Sequence, residues 1–234
     1  MRPTPALTFI FLVLLAAGCQ TVPPPGNTTA VLAEPVAAQP NLHAEAPRFV
    51  VGADLSEVRI LVWRDGALAR FGHNHVVVGH PRGEMHAGET AAASGFQLEI
   101  PVDSFAVDPA AARAEEGPEF SSTVSDQARE GTRQNMLGKD VLDAANHPLI
   151  RIASLTLLGP QWNPTVTARV TLRGATRDVR FPAAVFRQGD TLTIVASFVI
   201  SQRAFGIEPF SALNGGLRVR DDLDIRIRIV AQRG

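Results

Sequence analysis

Cysteine is almost absent from this chain. Of 234 residues only Cys19 carries a thiol, so no intrachain disulfide is available and the folded part must be held by its core alone. Charge of one sign is equally scarce. The formal net charge is -1, with acidic and basic residues mixed along the chain, which leaves neither the electrostatic footprint of a nucleic-acid binder nor a basic membrane-binding face. Catalytic signatures are missing too: there is no HExxH, no cysteine pair, no nucleophile elbow, no glycine-rich phosphate loop and no cofactor motif. Neither catalysis nor a cofactor is indicated. The longest apolar run, Leu7 to Ala17, is too short to span a bilayer, which takes about twenty apolar residues.

That run looks like an export signal, with Arg2 supplying the positive end. Its close, Leu15-Ala16-Ala17-Gly18-Cys19, resembles the lipobox of bacterial lipoproteins. The resemblance implies a signal peptide over residues 1–18 and acylation of Cys19. Two or more acyl chains anchor stably where one does not. Gln20 stands where an Asp would favour the inner membrane, so the expectation is a protein lipid-anchored in the periplasm, at the outer membrane. Residues 19–47 are rich in Pro, Ala, Thr and Asn, stiffened by PPP at 23–25, and read as a flexible linker. Residues 48–234 remain for one domain with one sizeable core.

Within that domain the dominant pattern has period two, the mark of half-buried strands. Val166, Ala168, Val170 and Leu172 alternate with Thr167, Arg169, Thr171 and Arg173. Leu192, Ile194, Ala196, Phe198 and Ile200 form a second apolar set, and Leu223, Ile225, Ile227 and Ile229 a third. Further strands are expected at Val58 to Trp63, His75 to Val78, Gly83 to Ala87, Phe96 to Val102, Leu149 to Leu158 and Val179 to Phe186. Turn-like residues at 174–178 and 187–190 pair neighbours as hairpins. About eight antiparallel strands point to a closed up-and-down β-barrel, because closure removes exposed edges. A two-sheet sandwich is the alternative. Residues 121–148 break the pattern with a helix, a stop at Gly138 and a short second helix near Val141 to Ala145. A barrel this small has no room inside for a helix, so the insertion is expected across an opening, as a lid, or on the outer wall.

A series of landmarks runs in order through the domain: Glu57-Val58-Arg59-Ile60, Val102-Asp103-Ser104-Phe105, Arg133-Gln134-Asn135-Met136-Leu137, His147-Pro148-Leu149-Ile150, Arg173-Gly174-Ala175-Thr176 and Ser201-Gln202-Arg203-Ala204-Phe205-Gly206. In order and spacing they resemble the YceI-like family of periplasmic polyisoprenoid-binding proteins, from Gly52 to Ala231. The resemblance implies a lipocalin-like barrel whose lumen takes an isoprenoid lipid, polyprenyl or quinone in type. Candidate tail contacts are Phe96, Leu98, Ile100, Val170, Leu172, Phe181, Ile194, Phe198, Ile225 and Ile227. Each is equally a candidate for ordinary core packing.

The segment ALARFGHNHVVVGH, residues 67–80, departs from the better-known family members and resembles a subgroup with a Gly-His-x-His element. It holds three of the chain's six histidines. If extended, it projects His73 and His75 from one face about 7 Å apart, with Asn74 facing the other way. Three readings follow. The pair holds a metal, with His80, Glu84, His86 or His147 completing the set, none at a diagnostic spacing. It binds a head group at the barrel mouth. Or it bonds backbone and neighbours and stabilises a strand. Arg133, Asn135 and Arg203 are polar residues that first suggest caps and ion pairs.

The sequence therefore leads to a lipid-anchored binding protein that carries or sequesters an isoprenoid lipid, without chemistry of its own. The rivals are a metal-binding protein or hydrolase built on the GHNH segment, and a filled barrel acting as a scaffold. Homodimerisation is left open.

Overall fold

The computed structural model describes residues 28–29, 31–33 and 39–234. The signal segment 1–18 and Cys19 lie outside the described residues, as do residues 20–27, 30 and 34–38 of the stretch read as linker.

The chain is all-β with a short helical insertion. Its main strands are β1 (Arg48–Val51), β2 (Glu57–Val62), β3 (His75–Gly79), β4 (Arg82–His86), β5 (Gly95–Pro101), β6 (Leu149–Leu158), β7 (Thr165–Leu172), β8 (Ala175–Pro182), β9 (Ala184–Gln188), β10 (Thr191–Ser201) and β11 (Asp222–Arg233). Two helices, α1 (Ala110–Glu115) and α2 (Asp126–Leu137), lie between β5 and β6.

Several strands are halves of one kinked stave. Both β1 and β2 pair with β11, through Val51↔Ala231 and Ile60↔Ile225, while β4 pairs with β1 and β3 with β2. From β4 onward each stave pairs antiparallel with the next, β4 to β5, β5 to β6, β6 to β7 and β7 to β8, then β9 to β10 and β10 to β11. Counted as staves, this is the up-and-down order expected of eight strands. The hairpins are tight. Arg173 and Gly174 have φ of 50° and 73°, the two positive values a two-residue turn of this hand needs, so Ala175 to Asp178, expected in the turn, already belong to β8.

The sheet is not closed along its whole height. β8 ladders with β7 and β9 with β10, but β8 and β10 diverge, and between them no direct ladder forms. Thr28–Thr29 pairs parallel with β10 and Val31–Leu32 antiparallel with β8, so part of the stretch read as linker lies against both margins of this seam. Inside the wall, Phe181 of β8 stacks on Phe198 of β10 at 4.3 Å between ring centroids.

One local expectation is corrected, and one strand went unread. Val141 to Ala145 is a run of turns, not a helix: Asp143 takes φ 48°, and its N–H and that of Ala144 return to Gly138 and Leu137. Arg48–Val51 is a strand that periodicity missed, alternating exposed and buried over four residues. α2 has a serine cap, its Ser125 side chain accepting from the Ala128 N–H at 3.2 Å, and stops at Gly138 as expected.

One half of the barrel is filled. Phe49, Met85, Phe96, Leu98, Leu192 and Ile229 pack there as a continuous apolar core. The other half is hollow.

Candidate functional site

The hollow half is a cavity of about 470 Å³, within the range of small-molecule sites. Its wall is built from the alternate residues of the staves that face inward, among them Val58, Ile60, Ile152, Leu223 and Ile225. α2 lies across the opening. Ala128, Thr132, Asn135 and Met136 recur at the spacing of one helix face and line the cavity from above. Arg133 reaches back to donate to the Asp103 carbonyl at 2.7 Å and ties the helix to the end of β5. Phe71, Phe210 and Leu217 also line the cavity.

Of the tail-contact candidates, Ile100, Val170, Leu172, Phe181, Phe198, Ile225 and Ile227 line this cavity. Phe96, Leu98 and Ile194 do not. Phe96 and Leu98 are buried at 9% and 7% exposure in the filled half, and Ile194, opposite Ile229 in the β10 to β11 ladder, packs against the same core. These three point inward as expected, but at a height where side chains already occupy the lumen.

His73 and His75 both line the cavity, their ring centroids 6.4 Å apart, while Asn74 faces away. Asn74 is buried in the wall, accepting from the Arg64 N–H at 3.0 Å and donating to the Glu119 carbonyl at 3.0 Å. The alternation of an extended segment therefore sorts the motif into two half-buried imidazoles that face the cavity and one structural amide.

Behind His75 lies an arrangement the sequence did not reveal. Its Nδ1 is 2.6 Å from Oδ2 of Asp108, whose side chain is fully buried. The other oxygen of Asp108 accepts from the Val76 N–H at 2.9 Å and from Arg113 at 2.6 Å. Arg113, on α1, also donates to the carbonyls of Asn74, Phe120 and Ser122 at 2.8, 2.6 and 2.9 Å. A second small core, of Leu61, Val76, Val78, Ala112 and Phe120 with Trp63 edge-on to Phe120, seals α1 against the outside of the wall. Asp108 has φ 51°, a conformation Asp tolerates better than most residues, and its N–H donates to the Val76 carbonyl at 2.7 Å. Burial alone pushes the Asp108 carboxyl up, but the bonds from His75, the Val76 N–H and Arg113 prevail and hold it below its ordinary value.

His73 is placed differently. Its Nδ1 is 3.1 Å from the Ser122 hydroxyl. Burial, then the neighbouring His75, Arg113 and Arg64, lower its pKa, so it favours the neutral form. The Ser–His pair and the His–Asp pair thus sit on different imidazoles, and no contiguous Ser–His–Asp relay forms. The other histidines and Glu84 serve elsewhere. His80 bonds the Ser56 carbonyl, His86 the Ala46 carbonyl, Glu84 pairs with Arg48, and His147 packs beside Gly174. Among the described residues no three His, Cys, Asp or Glu side chains converge as metal ligands. Arg203 pairs with Glu208, outside the cavity wall, whereas Asn135 is on it.

The domain described as YceI-like is matched over residues 54–231. The chain belongs to the YceI-like family. Two solved structures share the fold with this YceI-like chain. BcnA of Burkholderia cenocepacia is 18% identical, with a TM-score of 0.52 over 77% of this chain and 98% of that one. A polyisoprenoid binding domain from Saccharophagus degradans, implicated in plant cell wall breakdown, is 10% identical, with a TM-score of 0.55 over 80% and 98%. Among curated proteins none matches the chain.

Proposed function

We propose that this YceI-like chain binds one isoprenoid lipid, its tail in the hollow half of the barrel and its head at His73 and His75, and carries or sequesters it without transforming it. The observation that carries this reading is the polarity of the cavity. Its deep wall is aliphatic and aromatic, as a hydrocarbon tail requires, and its two imidazoles stand together at one place on the wall. The naming of the Saccharophagus degradans neighbour as polyisoprenoid-binding supports the same ligand class.

The test is native mass spectrometry of the chain purified from a bacterial host without detergent, followed by organic extraction. A co-purifying polyprenyl or quinone mass is expected. Delipidated protein that takes up neither a polyprenol nor an isoprenoid quinone overturns the proposal.

The lipobox-like ending at Cys19 supports a protein held at the periplasmic face of the outer membrane by its acylated N-terminus. Radiolabelled palmitate is expected in the wild type and not in Cys19→Ser. A variant that keeps the label refutes the anchor.

A further inference from the structure

We propose that His75 selects a ligand whose head is a hydroxyl, a prenol or a quinol, over the same tail ending in a group without a donor hydrogen. The proposal rests on the reading of the cavity as an isoprenoid site and adds which head it accepts.

The tautomer of His75 decides the matter. An ionised carboxylate only accepts hydrogen bonds, and Asp108 is ionised, buried and already engaged by Val76 and Arg113. The 2.6 Å contact between His75 Nδ1 and Asp108 Oδ2 therefore requires the proton on Nδ1. In a neutral imidazole the other nitrogen is then a bare acceptor. Turning the ring over would set a C–H against the carboxylate, so the bond also fixes which edge of the ring faces the lumen.

Among the described residues Nε2 of His75 has no hydrogen-bond partner. Among the described residues every buried side-chain nitrogen or oxygen has one, so Nε2 is on the accessible side of the ring, and His75 lines the cavity. It waits for a donor. An alcohol or phenol supplies one, whereas a carbonyl or ether sets lone pair against lone pair. His73 imposes no such demand, because its partner, the Ser122 hydroxyl, donates or accepts with equal ease.

His75 is 16% exposed, so water softens the penalty for a wrong head. A preference of about tenfold is expected, the scale of one net hydrogen bond and far short of what a fully enclosed hydroxyl site shows.

The experiment displaces a fluorescent isoprenoid probe from the delipidated full chain with geranylgeraniol or with its methyl ether, at mildly alkaline pH. The alcohol is expected to bind about tenfold more tightly. In Asp108→Asn the amide N–H faces Nδ1 and drives the proton to Nε2, and the ratio is expected to fall towards one. A second pair, the reduced and oxidised forms of a short-tailed isoprenoid quinone, separates the two natural sources. A larger ratio there than for the prenol pair assigns the site to a phenolic hydroxyl, and a smaller one to an allylic hydroxyl.

Because Asp108→Asn removes a buried charge and is at risk of not folding, the wild type is also read directly by nitrogen-15 NMR. Nε2 of His75 is expected at the position of an unprotonated ring nitrogen, shifting on addition of geranylgeraniol and not of the ether. Equal binding of alcohol and ether, or a protonated Nε2, overturns the inference and leaves the isoprenoid reading standing. If neither compound displaces the probe, the isoprenoid reading itself falls.

Discussion

Replacing Arg113 by Met tests whether the support behind His75 is as necessary as its geometry implies. The substitution keeps most of the side chain's length and removes its charge. It deletes bonds of 2.6 to 2.9 Å to Asp108 and to the carbonyls of Asn74, Phe120 and Ser122. Asp108 is then left fully buried with no cation beside it. Breaking a buried pair in this way costs about 3–5 kcal/mol, because the remaining charge has lost its cation with no water in its place and keeps only the bonds from His75 and the Val76 N–H. The orphaned carbonyls overlap with that cost and are not added to it. For a domain of this size each kcal/mol lowers the melting temperature by about 2–4 °C, so a fall of roughly 6–20 °C is expected. Circular dichroism and urea melts measure it, with Arg203→Met as a control, since that residue's ion pair with Glu208 is exposed and its loss is expected to leave the midpoint unchanged. A loss below about 1 kcal/mol for Arg113→Met would mean that Asp108 finds compensation elsewhere, and the account of a cation-held carboxylate orienting His75 fails.

Three further outcomes are expected. Val170→Trp, which fills the hollow half from β7, should abolish displacement of an isoprenoid probe while the fold survives at a cost of about 1–3 kcal/mol; undiminished binding would place the tail elsewhere. Phe198→Ala removes the ring stacked on Phe181 across the seam and should cost about 3–5 kcal/mol in a urea melt, against which a change under about 1 kcal/mol would show the seam is held by other means. The pH dependence has two steps, because both shifted groups have folded pKa values below their ordinary ones. The contribution of His73 is complete above pH 6.5 and lost as pH falls through its lower folded value, and that of Asp108 is complete above pH 3.8 and lost below it. Urea midpoints against pH should therefore lose the first step in His73→Phe; an unchanged profile contradicts the assignment.

The strands were legible because their period is local. Leu149–Leu158 is read with its true bounds, and the apolar faces of β7, β10 and β11 are visible as alternation within single segments. What failed was shorter or more distant. Arg48–Val51 offers too few residues to show a period, and Val141 to Ala145 has helical composition but a positive φ at Asp143 that composition does not register. The height at which the barrel changes from filled to hollow is a property of how side chains from different strands stack, so Phe96 and Ile100, identical in pattern, end in different halves. The pairing of His73 with His75 was visible from extended geometry alone. Their partners were not, since Asp108 lies 33 positions from His75 and sits just before a proline at a helix start, where an Asp ordinarily reads as a cap.

α2 spans the opening yet buries none of its own residues. A helix of 12 residues is marginal in water by itself, so its order depends on what it rests upon. When the cavity is empty that support is the rim alone. A hydrocarbon beneath Ala128, Thr132 and Met136 adds apolar contact that only the helical form collects, which ties occupancy to helix formation. Linkage makes the tie reciprocal: whatever peels α2 from the rim weakens the hold on the cargo by the same factor that the cargo strengthens the helix. Amide exchange over residues 126–137 is thus expected to gauge whether a hydrocarbon lies beneath the helix, with slower exchange on addition of a polyprenol.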